Sequence, residues 1–292
     1  MPCLGAHLSI AGGLWRAAVA AADLECGALQ VFLRSPGRWT APDLTDDAVA
    51  RFRLAVTEAG LEGACFAHAP YLLNLASSDG SLRRTSVDAL VDELVRAGRL
   101  GLSGVVLHPG SAGVTPRNEA EARCRQAIVE AVDRAGERGA KLLLEGTAGM
   151  GAQLGASVAE LAGLVDPAVS GRVGVCLDTA HLWGAGYDLT GDGWERVLGE
   201  VAEHWGLAAP HLLHANDTLV ALGSRKDRHA PPGDGVLGAS FYRRILADRR
   251  LRCTPLVVEI PPGDGNELIR AALARLRTWQ KPRQAEGRRM AG

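Results

Sequence analysis

Eight short apolar runs, separated by longer amphipathic stretches, restrict this chain to few folds. The runs cover residues 3–7, 28–32, 64–68, 104–108, 141–145, 173–178, 211–214 and 255–259. They are rich in Val and Leu and nearly continuous in apolarity, as strands buried on both faces of a parallel sheet are. Between and after them lie amphipathic stretches at 14–24, 46–59, 82–100, 119–138, 158–165, 194–205, 239–247 and 267–279. Several begin at an N-cap residue or stop at a glycine. Strands and helices alternating in this way predict an α/β fold, a single (β/α)8 TIM barrel over residues 1–280 with its site at the C-terminal ends of the strands. A doubly wound sheet is the alternative, but no Gly-rich phosphate loop follows the first run. Residues 281–292 are charged and small and are expected to form a disordered tail.

The length, 292 residues with 47% hydrophobic, suits one such barrel, which commonly uses about 250 residues. A net charge of −1 lacks the bulk basic excess usual in nucleic-acid binders, which leaves only a local basic patch. The six cysteines contain no C-x-x-C pair, and Cys3, Cys65, Cys176 and Cys253 lie in or beside apolar runs. Buried free thiols in a reducing compartment are expected rather than a disulfide framework. The N-terminus has no basic segment leading into a long apolar one, so a cytoplasmic protein is expected.

The run ends carry the chemistry. His68, His108, Glu145, Asp178, His214 and Glu259 each close an apolar run, and His7 closes the first. In a TIM barrel these ends converge on one rim. Several carboxylates brought together there raise one another's pKa, and a cation relieves the repulsion. Two loop motifs add candidates: Asp178 with His181, three residues apart, and Asp227 with His229, two apart on one side of an extended segment. A ligand set of imidazole and carboxylate without thiolate suits Zn, Fe, Mn or Co. The nine candidates divide into three sites of the usual zinc size if one carboxylate bridges. Two ions about 3.5–4 Å apart clamp both oxygens in phosphoryl hydrolysis. The spacing reaches a multinuclear metal hydrolase or isomerase and no further.

With these residues in view, the chain resembles the endonuclease IV family of apurinic/apyrimidinic (AP) endonucleases. The matching stretches run from Gly5 to Glu259. They include Gly5-Ala-His-Leu-Ser, His68-Ala-Pro-Tyr-Leu-Leu-Asn-Leu, His108-Pro-Gly-Ser, Glu145-Gly-Thr-Ala-Gly, Leu177-Asp-Thr-Ala-His, His214-Ala-Asn-Asp and Gly223-Ser-Arg-Lys-Asp-Arg-His. The resemblance implies three Zn2+ ions, with Mn2+ or Fe2+ as alternatives at one site. His68, His108 and Glu145 would hold one ion, and Glu145 would bridge to a second held by Asp178, His214 and Glu259. His181, Asp227 and His229 would hold the third. The implied reaction is hydrolysis of the phosphodiester 5′ to an abasic site in double-stranded DNA, leaving a 3′-hydroxyl and a 5′-deoxyribose phosphate, together with trimming of blocked 3′ ends. Glu145 and Glu259 are the implied catalytic residues. Arg225, Lys226 and Arg228 would contact phosphates, and Tyr71 would stack at the lesion. Family members usually carry an Asn-Gln-Arg-like tip after the second strand, whereas this chain has Arg34-Ser-Pro-Gly-Arg-Trp, so that Arg34 or Arg38 would substitute. Gly146 stands where Asn is common, which predicts the loss of a hydrogen bond to a ligand.

Two rival readings exist. A TIM-barrel sugar isomerase would share the strand-end ligands but have no use for the Asp227–His229 pair or the basic segment around it. An impaired DNA-binding scaffold would have no reason to keep nine convergent ligands. His204 is expected on a helix surface, His211 at the far end of the barrel and His7 beside a ligand. A monomer is expected, since no exposed apolar helix face stands out.

Overall fold

A computed structural model describes residues 1–280; the stretch 281–292, read as a tail, lies outside the described residues. The barrel strands are β1 (Leu4–His7), β2 (Ala28–Phe32), β3 (Cys65–His68), β4 (Gly104–Leu107), β5 (Lys141–Glu145), β6 (Val173–Asp178) and β7 (Leu212–His214). A two-residue pair follows, β8 (Asp217–Thr218) and β9 (His229–Ala230), and the last barrel strand is β10 (Leu256–Val258). The order β1-β10-β7-β6-β5-β4-β3-β2 closes on itself, and every barrel pairing is parallel. The helices are α1 (Leu14–Asp23), α2 (Asp46–Glu58), α3 (Gly80–Leu100), α4 (Arg117–Ala135), α5 (Val158–Gly163), α6 (Thr179–Ala185), α7 (Gly193–Trp205), α8 (Gly238–Ala247) and α9 (Glu267–Gln280). No described helix is long and apolar enough to cross a membrane.

Local chemistry accounts for the boundaries. Asp79 starts α3 by accepting hydrogen bonds from Ser81 and Leu82 N–H, and Gly101 ends it in the left-handed region at φ 77°. The expected helix over 119–138 stops instead at Ala135, where Gly136 turns to φ 65°. The connection over 180–193, which no amphipathic stretch covers, contains most of α6, because the Asp178 carboxylate caps it through Ala180 and His181 N–H. Outward-facing Leu29, Val31, Leu107, Leu144, Val175, Leu177 and Leu213 pack under Phe52, Leu90, Ile128 and Trp194 of the helices. Burial of each such side chain contributes about 1.5–3 kcal/mol. Cys26, Cys65, Cys124 and Cys176 are buried free thiols, but Cys3 and Cys253 are exposed, because each lies just outside its strand.

One correction concerns Arg34. Expected as a DNA contact, it is 2% exposed, and its guanidinium is committed to Glu93 at 2.5 Å, Asp92 at 2.7 Å and the Trp39 carbonyl. Asp92 also takes Arg96 at 2.7 Å, and Arg96 donates to the Pro42 carbonyl. Two carboxylates of α3 thereby clamp both sides of the loop after β2. Burial pushes the Glu93 carboxyl up to about 7, against the pull of Arg34. Replacing Glu93 with Ala leaves the buried Arg34 guanidinium with Asp92, itself partly exposed, as its one carboxylate partner. Urea denaturation of Glu93→Ala is expected to report a loss of roughly 1–3 kcal/mol. A loss under about 1 kcal/mol, the worth of an exposed pair, would show that the clamp is not buried in solution.

Candidate metal centre

Side chains two apart on a strand share a face. Inside the barrel, Ala28, Phe66, Val106, Leu143, Cys176, Leu212 and Val257 form a separate apolar cluster. The residue two positions further along each strand is Gln30, His68, His108, Glu145, Asp178, His214 or Glu259. The site is thus the next inward step on an apolar plug. The plug seals it from below, and the strands' common direction brings it to the C-terminal rim.

Three groups emerge, each with ligand atoms within 4.8 Å of one another: His68, His108 and Glu145; Glu145, Asp178, His214 and Glu259; and Asp178, His181 and His229. The first two are the sets expected from the sequence. The third includes Asp178, so that Glu145 and Asp178 are both shared. Asp227 joins it as expected, its oxygens 3.2 Å from His181 Nε2 and 3.1 Å from His229 Nε2. Glu145 is fully buried at the centre, with His68 Nε2 at 3.0 Å, His108 Nε2 at 2.9 Å and His214 Nδ1 at 2.9 Å.

The imidazoles are held from behind. His68 Nδ1 donates to the Ala69 carbonyl at 2.7 Å, His181 Nδ1 to Gly146 at 2.8 Å and His229 Nδ1 to Glu259 at 3.0 Å, so each presents Nε2 to the centre. Gly146 therefore positions a candidate ligand through its carbonyl, which any residue there would offer. Asn216, overlooked in the sequence, is fully buried; it donates to Asp178 Oδ2 at 2.6 Å and accepts from Glu259 N–H at 2.8 Å. Its signal was a polar residue between two buried ones just past a strand. Gln30 was overlooked as well, although it interrupts an apolar strand. His7 lies where expected, with Nδ1 3.3 Å from Glu259 Oε1. His204 is exposed on α7, and His211 sits at the opposite end of the barrel, accepting from Val175 N–H.

The charges fit a bound cation. Among the described residues no Lys or Arg pairs with Glu145, Asp178, Asp227 or Glu259; their ion-pair partners are all imidazoles. Burial would raise the Glu145 carboxyl, but His108 and His214 hold it well below the usual range. Glu259 is held down in the same way by His214 against burial. Conversely, burial opposes charge on His229, yet Asp178 and Asp227 lift it to about 9. Metal ions take up the place of such protons. His108 Nε2 is buried without a hydrogen bond, since its 2.9 Å approach to Glu145 lacks the angle for one. An orphaned lone pair aimed at a buried carboxylate is what an ion between them would use.

Above the ligands the mouth is open. A cavity of about 540 Å3 is lined by His7, Phe32, Ser35, Tyr71, Glu259 and Pro262, and one of about 690 Å3 by Tyr71, Asn74, His108, Met150, Asp227 and Arg228. Tyr71, 61% exposed, borders both, its ring 5.4 Å from that of His68 and 5.5 Å from that of Phe32. Arg225, Lys226 and Arg228 are exposed around Asp227. Arg225 N–H donates to the Gly184 carbonyl from a left-handed backbone at φ 53°, tying this segment to α6. Arg38 is exposed at the end of a Ser35–Arg38 turn with Pro36 at its first central position.

The profile of a family described as a xylose isomerase-like TIM barrel matches residues 18–279. A probable endonuclease 4 of Nitratidesulfovibrio vulgaris is 41% identical over 281 residues, 95% of this chain and 98% of its own. The crystal structure of endonuclease IV from Thermus thermophilus superposes with a TM-score of 0.82 at 36% identity, covering 95% of this chain and all of that one. A D-tagatose 3-epimerase-like protein reaches 0.70 at 18% identity, which shows the shared barrel alone. With near-complete coverage at about two-fifths identity, the chain belongs to the endonuclease IV family.

Proposed function

We propose that this chain is a DNA-repair nuclease that hydrolyses the phosphodiester 5′ to abasic sites in duplex DNA, leaving a 3′-hydroxyl, and trims blocked 3′ ends. The observation that carries it is the convergence of three His/carboxylate groups on the shared Glu145 and Asp178, beneath a mouth bordered by exposed Arg and Lys. Three Zn2+ ions suit the donor set, with Mn2+ or Fe2+ as alternatives at one site. When bound, they supply Lewis-acid activation of water and of phosphoryl oxygen. Glu145 and Glu259, kept anionic by their imidazole neighbours, orient the attacking water. His181, Asp227 and His229, on the basic side of the mouth, would hold a third ion, which would supply a Lewis acid for the scissile phosphate. Arg225, Lys226, Arg228 and Arg38 set the register of the backbone without reading sequence. Tyr71 stacks where the abasic site leaves a gap. Every residue named comes from one chain, so a monomer suffices.

A labelled duplex with one abasic-site analogue tests this. The expected result is a single nick 5′ to the site, abolished by prolonged chelation and restored by zinc. No nick from metal-containing protein would redirect the reading to small substrates. Glu145→Gln is expected to fold normally and to lose more than about a hundredfold in rate, the upper end of what loss of even an outer partner of a ligand costs. Near-native turnover by that variant would remove Glu145 from its shared role. Single Ala substitutions at Arg225, Lys226 and Arg228 are each expected to weaken duplex binding for all sequences and to flatten the log–log salt dependence by about one unit. An unchanged slope would place that residue off the DNA.

A further inference from the structure

Gln30 lies at the midpoint of β2, fully buried, and its amide meets two members of the Glu145–Asp178–His214–Glu259 group at once. Its Nε2 donates to Glu259 Oε1 at 2.6 Å and to His7 Nδ1 at 2.9 Å, and its Oε1 accepts from His214 Nε2 at 2.9 Å. An amide carries two N–H donors and one carbonyl acceptor, and all are engaged. The orientation is forced: the flipped amide would set its carbonyl oxygen against the Glu259 carboxylate.

The consequence falls on His214. His68, His181 and His229 rest Nδ1 on backbone carbonyls and face inward through Nε2. His214 faces inward through Nδ1, which lies 2.9 Å from Glu145 and 3.0 Å from Glu259, and its outer nitrogen meets a side chain. Gln30 thus does for His214 what the main chain does for those three. It holds the proton on Nε2 and leaves the Nδ1 lone pair for an ion. By the same amide it fixes the rotamer of Glu259. We propose that Gln30 is a positioning residue that sets the inward nitrogen of His214 and the aim of Glu259, and so tunes the affinity of this one group for zinc.

The inference rests on the reading of the group as a metal centre. The test is zinc retention against chelators of graded strength, with near-ultraviolet circular dichroism as the check on folding. Gln30→Met keeps the volume and removes every hydrogen bond. It is expected to weaken one class of bound zinc by about ten- to hundredfold, as loss of an outer partner does, with the remaining zinc held as in the unmodified chain. Gln30→Glu covers the case in which Gln30→Met does not fold. It keeps size and acceptor but sets a carboxylate against Glu259, and the same class is expected to weaken at least about tenfold. A folded variant that holds zinc like the unmodified chain overturns the inference, and so does uniform weakening of all zinc. An unmodified chain that holds no zinc overturns the metal reading together with the inference, and is told apart by that control alone.

Discussion

A carboxylate with no exposed surface, Glu145, sets the terms for the rest of this molecule. Taking such a charge out of water costs several kcal/mol even after relaxation, and it persists only with close opposite charge. Four imidazoles lie within 3.4 Å of it. Each arrives from a different barrel strand or from the helix capped by Asp178, so the ring of strands must close for the charge to be tolerated. Below it the barrel interior is apolar and its contacts are satisfied. At Glu145 the fold instead collects like charges and leaves His108 Nε2 without a partner. Stability and function therefore pull apart at one step of the strand repeat, where natural proteins concentrate their unsatisfied groups.

The candidate ligands also position one another. The carbonyl after Glu145 holds His181, and the carbonyl of Glu259 holds His229. Thr179, beside Asp178, donates to the Asn216 carbonyl, and the Asn216 side chain returns to Asp178 and Glu259. A shift of one strand end is passed on within a single hydrogen bond. Such mutual support is how a site assembled from six barrel strands and the connections after them holds geometry to the fraction of an ångström that catalysis requires.

The eight strands were legible because burial on both faces writes continuous apolar runs, and the candidate ligands because each interrupts such a run at its end. Gln30 was not, although it follows the same two-residue step after an interior Ala28: Gln lies outside the His and carboxylate ligand set, and β2 runs on to Phe32. Arg34 misled because its position after a strand suggested exposure, whereas its partners, Asp92 and Glu93, lie in a helix almost sixty residues away. Long-range pairing leaves no local pattern. Asp217 was hidden for another reason. Buried, it accepts backbone N–H from Thr218, Gly233, Leu237 and Gly238, folding the long connection around itself. A side chain on Gly235 would come within 2.4 Å of its carboxylate.

That connection bears on how a nearly neutral chain would engage a polyanion. Its backbone is pinned by Asp217 and by the bonds from Arg225 N–H and Trp183 Nε1 to main-chain carbonyls, while its Arg and Lys side chains are exposed to solvent. Cations placed at the rim of a concave mouth focus their field there, so a local patch serves where bulk charge is absent. Yet the floor of the same mouth carries Glu145, Asp178, Asp227 and Glu259, four carboxylates that repel phosphate. Rim cations alone would hold the backbone above the site and not in it. Imidazole protons offset part of that charge, and bound divalent cations, which take their place, carry the potential the rest of the way downhill from rim to ligands. In the proposed reaction, therefore, metal loading and correct seating of DNA are one electrostatic condition.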